Sequence, residues 1–530
     1  MSDRSRDSAA GEERAPIDKL TVVDSRTSLS YDIPIINNAV KATDFRRISA
    51  QEPTASPLER GAAGLKILDP GFQNTAVAES SITYIDGVKG TIQYRNYMLD
   101  ELIEKHDFDD VSFLLVWNHL PSREKKLDYR TKLAGRMNPP QSVADTVKCF
   151  PRNAPYHLIF VAGLTAWAAT NPTTIPIYMG KELYLGKMDA VDEGVLRTMA
   201  ASIGLTALIY CHYEGREISP SDPNASLAEN ILLMMGVVDQ TTKLPDPKMV
   251  RILNSLWIVY GDHEMTNSTA ASLHVGSGLA DPMSCVSAAA CSLSGPLHGG
   301  AIDLAYKAFE RIGKKENVPQ AIEDVKAKKF RLSGYGHRIY KTVDPRVKHL
   351  KKALEELSGN IAGNSHLSVA LEIDRIASQD PYFSSRNLNT NADLYGCFVF
   401  SAMGFKPEIV TALMLGGRVS GVLAHWREQM GKPTTLWRPL QIFTGERAKL
   451  RYPHKIMLES VDERALDAGE VDHERSIEVL KKMGKDEEGF TSLEDSLVKA
   501  LDAILGNQPK NVPKTRIDLY YESPARDLTD

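Results

Sequence analysis

Hydrophobic and polar positions change their spacing along this chain. In KLTVVDSRTSLSYDIPI, from Lys19, β-branched and polar residues alternate, and SSITYIDGVKGTIQYR, from Ser80, alternates again around an Asp-Gly pair. Period-two alternation over so few residues predicts a small β element and then a hairpin that turns on Asp86-Gly87. From about Tyr97 the period lengthens to that of a helix, as in DVSFLLVWNHL, EGVLRTMAASIGLTALIY and NILLMMGVV. After His298, the residues Ile302, Ala305, Tyr306, Phe309 and Ile312 fall on one helical face, with Asp303 in the first turn and Gly313-Lys314-Lys315 closing the end. Strands and helices do not alternate regularly, which argues against a parallel α/β sheet, and no repeat of solenoid period is present. The reading is a mainly α protein.

Between these segments the chain is polar. The first 16 or so residues read as disordered, ISAQEPTASPLERGAAG reads as a linker, and the charge-rich stretch from Glu459 carries one amphipathic segment, TSLEDSLVKALDAIL. Composition narrows the function classes. A chain of 530 residues with 42% hydrophobic and 25% charged positions has the make-up of an ordinary globular protein. A net charge of −5 gives no basic footprint for nucleic acid or a membrane surface, so an anionic ligand needs a local cluster of cations. The apolar stretch around His157–Thr170 is too short to span a bilayer. Five scattered cysteines without a C-x-x-C pair predict neither a disulfide framework nor a zinc site, and reduced thiols with no clear targeting signal point to the cytoplasm.

Familiar fingerprints are absent. GSGLAD lacks the last glycine of a dinucleotide loop, GRVSG has the wrong spacing for a nucleophile elbow, and the DHE at Asp262–Glu264 has no companion ligands, so no metal is expected. What remains is a series of histidines, arginines and one aspartate in turn-like settings. SGPLHGGA places His298 between a proline turn and two glycines just before a helix, where positive charge is disfavoured and a neutral imidazole can donate a hydrogen bond. GYGHRIYKTVDPR sets His337 after Gly-x-Gly and Arg346 beside a proline; His263 follows an apolar run; Asp393, Arg418 and Arg438 sit in NADLYG, GGRVSG and LWRPLQ. Taken singly, each also fits a cap, a turn or a packed position, as His425 does in LAHW.

Taken in order, DPGFQNTAVAESSITYIDG, GPLHGGA, GYGHRIYKTVDPR and AHWREQM closely resemble the citrate synthase family, from about Lys19 to about Arg451 and most of all its bacterial-type and plant peroxisomal-type members. The resemblance implies an almost wholly helical fold with a large and a small domain. On it, residues 1–18 are a disordered terminus and 19–66 the small β element and linker. Residues 67–300 begin the large domain, 301–412 form the small domain, 413–458 return to the large one, and 459–530 are a C-terminal extension. It further implies an acyltransferase that condenses an acyl-CoA with oxaloacetate and hydrolyses the thioester, with coenzyme A as part of the substrate and no other cofactor. Asp393 is then the base, His298 the donor to the thioester oxygen, and His337 the group that polarises the ketone. His263, Arg346 and Arg418 hold oxaloacetate, Arg438 reaches in from a second subunit of a dimer or larger oligomer, and Lys341 with Gly334 and Gly336 faces coenzyme A.

Departures from the family pattern gather at the expected acyl pocket: Met414 with Gly416 and Gly417 near Arg418, Ser294 before the His298 motif, Tyr260 in place of a histidine, and Leu394 with Gly396 after Asp393. Smaller or more adaptable side chains predict room for an acyl chain longer than acetyl, as in 2-methylcitrate or alkylcitrate synthases. Two other readings stay open, an ordinary citrate synthase using acetyl-CoA and a catalytically silent relative that binds CoA or citrate and regulates a partner.

Overall fold

The structure, a computed structural model, describes residues 18–50 and 63–445. The expectations for residues 1–17, for most of the linker and for the extension at 459–530 fall outside the described residues. The described residues up to Leu440 belong to one compact unit, which holds every candidate site residue. Among the described residues the architecture is mainly α, as the periodicity predicts, with two small antiparallel sheets. Strands β1 (Lys19–Asp24) and β2 (Leu29–Pro34) pair as the N-terminal β element, and β3 (Thr83–Asp86), β4 (Thr91–Tyr94) and β5 (Tyr97–Met98) form the second sheet.

The β3–β4 hairpin does not turn on Asp-Gly alone. Asp86 accepts hydrogen bonds from the N–H groups of Val88 and Lys89, and the left-handed residue is Gly90, with φ +67°. Gly87 serves another purpose: a Cβ there would meet the Ile339 carbonyl at 2.5 Å, and its own carbonyl accepts from Lys341 N–H at 2.8 Å. The hairpin therefore braces the loop that carries His337.

The core is built around the Pro407–Met430 helix, which packs against the helices Phe108–Trp117, Met188–Glu214, Pro247–Tyr260 and Asn267–Gly276. By length and composition the Met188–Glu214 and Pro407–Met430 helices are more span-like than the His157–Thr170 stretch, but their apolar windows are 89% and 100% buried inside the molecule. A helix that is apolar all round belongs in the middle of a large core. Its glycines set how closely neighbours approach: a Cβ at Gly416 would stand 3.0 Å from the Trp257 indole, and one at Gly417 3.0 Å from the Trp257 backbone. Trp257 seals the contact by donating Nε1–H to the Leu413 carbonyl at 2.7 Å. The volume that Gly416 leaves is taken by the Trp257 indole.

Candidate active site

Each candidate side chain stands where an element begins, ends or breaks. His298 lies in the turn between the Pro282–Leu293 and Ala301–Ile312 helices, where Gly299 and Gly300 press against the Leu293 side chain and the Ser294 carbonyl. Backbone N–H of Ser268 donates to His298 Nε2 at 3.2 Å, and the Ser268 hydroxyl lies 2.8 Å from the same atom. An imidazole nitrogen that accepts from an amide carries no proton, so the proton is on Nδ1. Nδ1–H has no protein partner among the described residues. Burial, and then the nearby Arg418 charge, lower the His298 pKa to about 4, so the ring is neutral at pH 7.

His337 repeats this arrangement with its nitrogens exchanged. Its Nδ1 accepts from the N–H groups of Ile339 at 3.1 Å and Tyr340 at 3.4 Å, which leaves the proton on Nε2. Burial and Arg346 bring its pKa to about 4 as well. The His263 ring centroid is 5.3 Å from that of His337, and His263 Nε2 is 2.8 Å from the Tyr340 hydroxyl. Burial, with Arg346 adding to it, holds His263 well below its ordinary value. Glu264, next in the chain, adopts φ +57° and accepts from Ile85 N–H of β3 at 2.7 Å. The sharp break after the Pro247–Tyr260 helix is thus pinned to the same hairpin that supports His337.

Two guanidinium groups supply the positive charge. Arg418 is buried, and only its Nε is engaged, donating to the Tyr260 carbonyl at 2.7 Å. Its outer fork is without a protein partner among the described residues. Arg346 has one edge committed to Asp344, through Nε to Oδ1 at 2.9 Å and Nη2 to Oδ2 at 2.6 Å. A full two-point grip on a ligand by that edge is therefore not on offer, and Nη1 is the nitrogen left over.

Asp393 opens the Asp393–Ala402 helix. A helix N-terminus favours a carboxylate, yet burial outweighs it and the Arg346 charge together and raises Asp393 to about 6. Asn391 fastens this helix start to the His337 loop: its N–H donates to the Gly334 carbonyl at 3.0 Å and its side-chain amide to the Gly336 carbonyl at 2.8 Å. Gly334 and Gly336 both have φ +83°, and a Cβ at Gly334 would meet Leu394 at 2.9 Å, so glycine is required for this joint whatever else the loop binds.

The structure therefore brings together His263, His298, His337, Arg346, Arg418 and Asp393. Lys341 is exposed near His337, Ser294 caps the helix before the His298 turn, and Met414 lies buried one helical turn before Arg418. Arg438 is on the exposed segment after the Pro407–Met430 helix, and no described hydrogen bond or ion pair ties it to the site of its own chain. Sequence reasoning missed Ser268, Tyr340, Asp344 and Asn391, which orient the others. Asp344 and Asn391 had a local signal, standing two residues before Arg346 and Asp393.

Neutral proton donors, buried cations and a carboxyl poised near neutrality define an acid–base enzyme for an anionic substrate, on a helical scaffold. The family described as "Citrate synthase, C-terminal domain" matches residues 71–440. The chain is 45% identical over 429 residues to the citrate synthase-like protein oryE of Aspergillus oryzae, covering 81% of this chain and 96% of that protein. It is 36% identical to the alkylcitrate synthase phiJ of a fungal species, covering 81% and 94%. Among solved structures, citrate synthase of Thermoplasma acidophilum in ternary complex with carboxymethyl coenzyme A and oxaloacetate matches with a TM-score of 0.66 at 26% identity, over 73% of this chain and 99% of that one. The chain belongs to the citrate synthase family, transferases that condense an acyl-CoA with oxaloacetate.

Proposed function

We propose that this chain condenses oxaloacetate with an acyl-CoA longer than acetyl, giving an alkylcitrate-type product and free coenzyme A. Asp393 removes the α-proton of the thioester, His298 donates Nδ1–H to the thioester oxygen as the enol forms, and His337 donates Nε2–H to the ketone oxygen of oxaloacetate. His263, Arg418 and the free nitrogen of Arg346 hold its carboxylates, and Arg438 is supplied by a second copy of the chain. Lys341 and the Gly334–Gly336 backbone attend coenzyme A, residues 301–412 close over the rest to exclude water, and no further cofactor takes part. The observation that carries this reading is the pairing of two neutral imidazoles of opposite tautomer, each with no partner for its N–H among the described residues, with a carboxyl raised to about 6. A preorganised donor of this kind contributes about 3–4 kcal/mol to a transition state.

Ser294 and Met414, at the approaches to His298 and Arg418, support the longer acyl chain, as does the likeness to an alkylcitrate synthase. The acetyl reading is favoured by one observation: Trp257 and Tyr260 refill the volumes that Gly416 and Gly396 leave. Thiol release with oxaloacetate and acyl-CoAs from acetyl through propionyl to decanoyl separates the two. A kcat/KM maximum beyond acetyl upholds the proposal, a maximum at acetyl replaces it with an ordinary citrate synthase, and no release with any of them leaves a silent relative.

A further inference from the structure

Tyr260 ends the Pro247–Tyr260 helix and is 2% exposed, yet its phenol oxygen has no hydrogen-bond partner among the described residues. Buried hydroxyls are rarely left so. Its ring centroid is 6.0 Å from the Arg346 guanidinium carbon, and its carbonyl is the acceptor for Arg418. The hydroxyl itself sits over Gly396, in the place a Cβ would take, beside Ile302. Gly396 is three residues after Asp393 on one helix, and such neighbours share a face with Cβ atoms about 5–6 Å apart. The hydroxyl thus lies against the helix that Asp393 opens, near enough for the Asp393 charge to act on the phenol, and only glycine at 396 lets it in.

We propose that Tyr260 is a positioning residue for the base: its O–H donates to the Asp393 carboxylate in the ionised, proton-accepting state and holds it in line with the substrate. The inference rests on Asp393 being the base. The other groups that face Asp393 are Arg346 and Asp344 from the His337 loop, Asp303 from the Ala301–Ile312 helix and Cys397 on its own helix. Asp344 and Asp303 oppose ionisation, and Arg346 is half committed to Asp344. The Tyr260 O–H is a neutral donor with no other engagement, and a donor to the charged form favours that form. With that donor engaged the carboxylate has one more group opposing burial, so its pKa stands lower with the Tyr260 O–H than without it.

The test is the acid limb of kcat/KM against pH for Tyr260→Phe and Gly396→Ala, beside wild type and Asp393→Asn, with Tm recorded for each. Tyr260→Phe is expected to move the limb up by roughly one pH unit, with Tm little changed at about pH 5, where Asp393 is protonated, and lowered at pH 7, where the carboxylate has lost its donor. Gly396→Ala pushes the hydroxyl aside, so it is expected to move the limb the same way at a lower Tm. The double variant recovers Tm but not the limb. A hydroxyl that only fills the hole above Gly396 leaves the Tyr260→Phe limb on the wild-type curve, and that outcome, or a downward shift, overturns the proposal. If Tyr260→Phe does not fold, an unmoved limb in Gly396→Ala does the same. An active Asp393→Asn removes the base reading and Tyr260 with it, whereas an inactive Asp393→Asn with an unmoved Tyr260→Phe limb removes Tyr260 alone.

Discussion

Asp393, the base in the proposed reaction, illustrates how a residue placed for chemistry acts at the expense of the fold. Its pKa is raised to about 6 by burial, so the native state binds this proton more tightly than the unfolded chain. The stability it contributes is greatest below the unfolded value and is lost as pH rises toward 6. At pH 7 the buried carboxylate is therefore a net cost, and Asp393→Asn is expected to abolish condensation while gaining about 3 kcal/mol in denaturant unfolding. The opposite sign holds at Asp344. Despite burial, Arg346 keeps it below the usual carboxylate range, so its stabilisation is present above the unfolded value and fades as pH falls through the lower folded one. Asp344→Asn leaves Arg346 buried and unpaired. Breaking such a pair costs about 3–5 kcal/mol, and the variant is expected to show that loss at pH 7, a much smaller loss near pH 2, and a raised KM for oxaloacetate.

Among the elements, the Pro407–Met430 helix sets the precision of the site, because it carries Arg418 and Met414 while crossing the Pro247–Tyr260 helix closely. At Gly417 a new Cβ would meet backbone atoms of Trp257, which yield less readily than the indole edge facing Gly416. Gly417→Ala is expected to cost about 1–3 kcal/mol, more than Gly416→Ala, in urea unfolding followed by far-UV circular dichroism. Below this crossing, Asp262 accepts from His425 at 3.2 Å, and both side chains are buried, so the histidine read as a core residue anchors the break that positions His263. The β3–β4 hairpin supports the other side of that break through Ile85 N–H and Gly87, which explains a glycine that the turn itself does not need.

For the whole molecule, the exposed Arg438 makes a prediction about assembly. If it serves a second copy's site, Asp393→Asn and Arg438→Ala are each inactive alone but complement one another. A mixed dimer then has one site with both lesions and one with neither. Refolding the two variants together at equal amounts is expected to restore about one quarter of wild-type activity. No recovery, with mixed dimers confirmed by mass spectrometry, places Arg438 outside the site.

Much of this was legible in the sequence because it depends on residues within a few positions of each other. The helical period, the break after Tyr260, the proline turn before His298 and the glycine pair around Tyr335 are all local consequences of side-chain bulk and backbone freedom, and they carry the family's residue types in order. The tertiary structure decided what those residues are chemically. Ser268, 30 positions away, fixes which nitrogen of His298 bears the proton; burial by distant helices makes three histidines neutral and keeps Asp393 near neutrality. It likewise decided that Gly396 and Gly416 are seats for Tyr260 and Trp257. Proton affinity and free volume are properties of everything packed around an atom, and the chain order does not record which distant segments those will be.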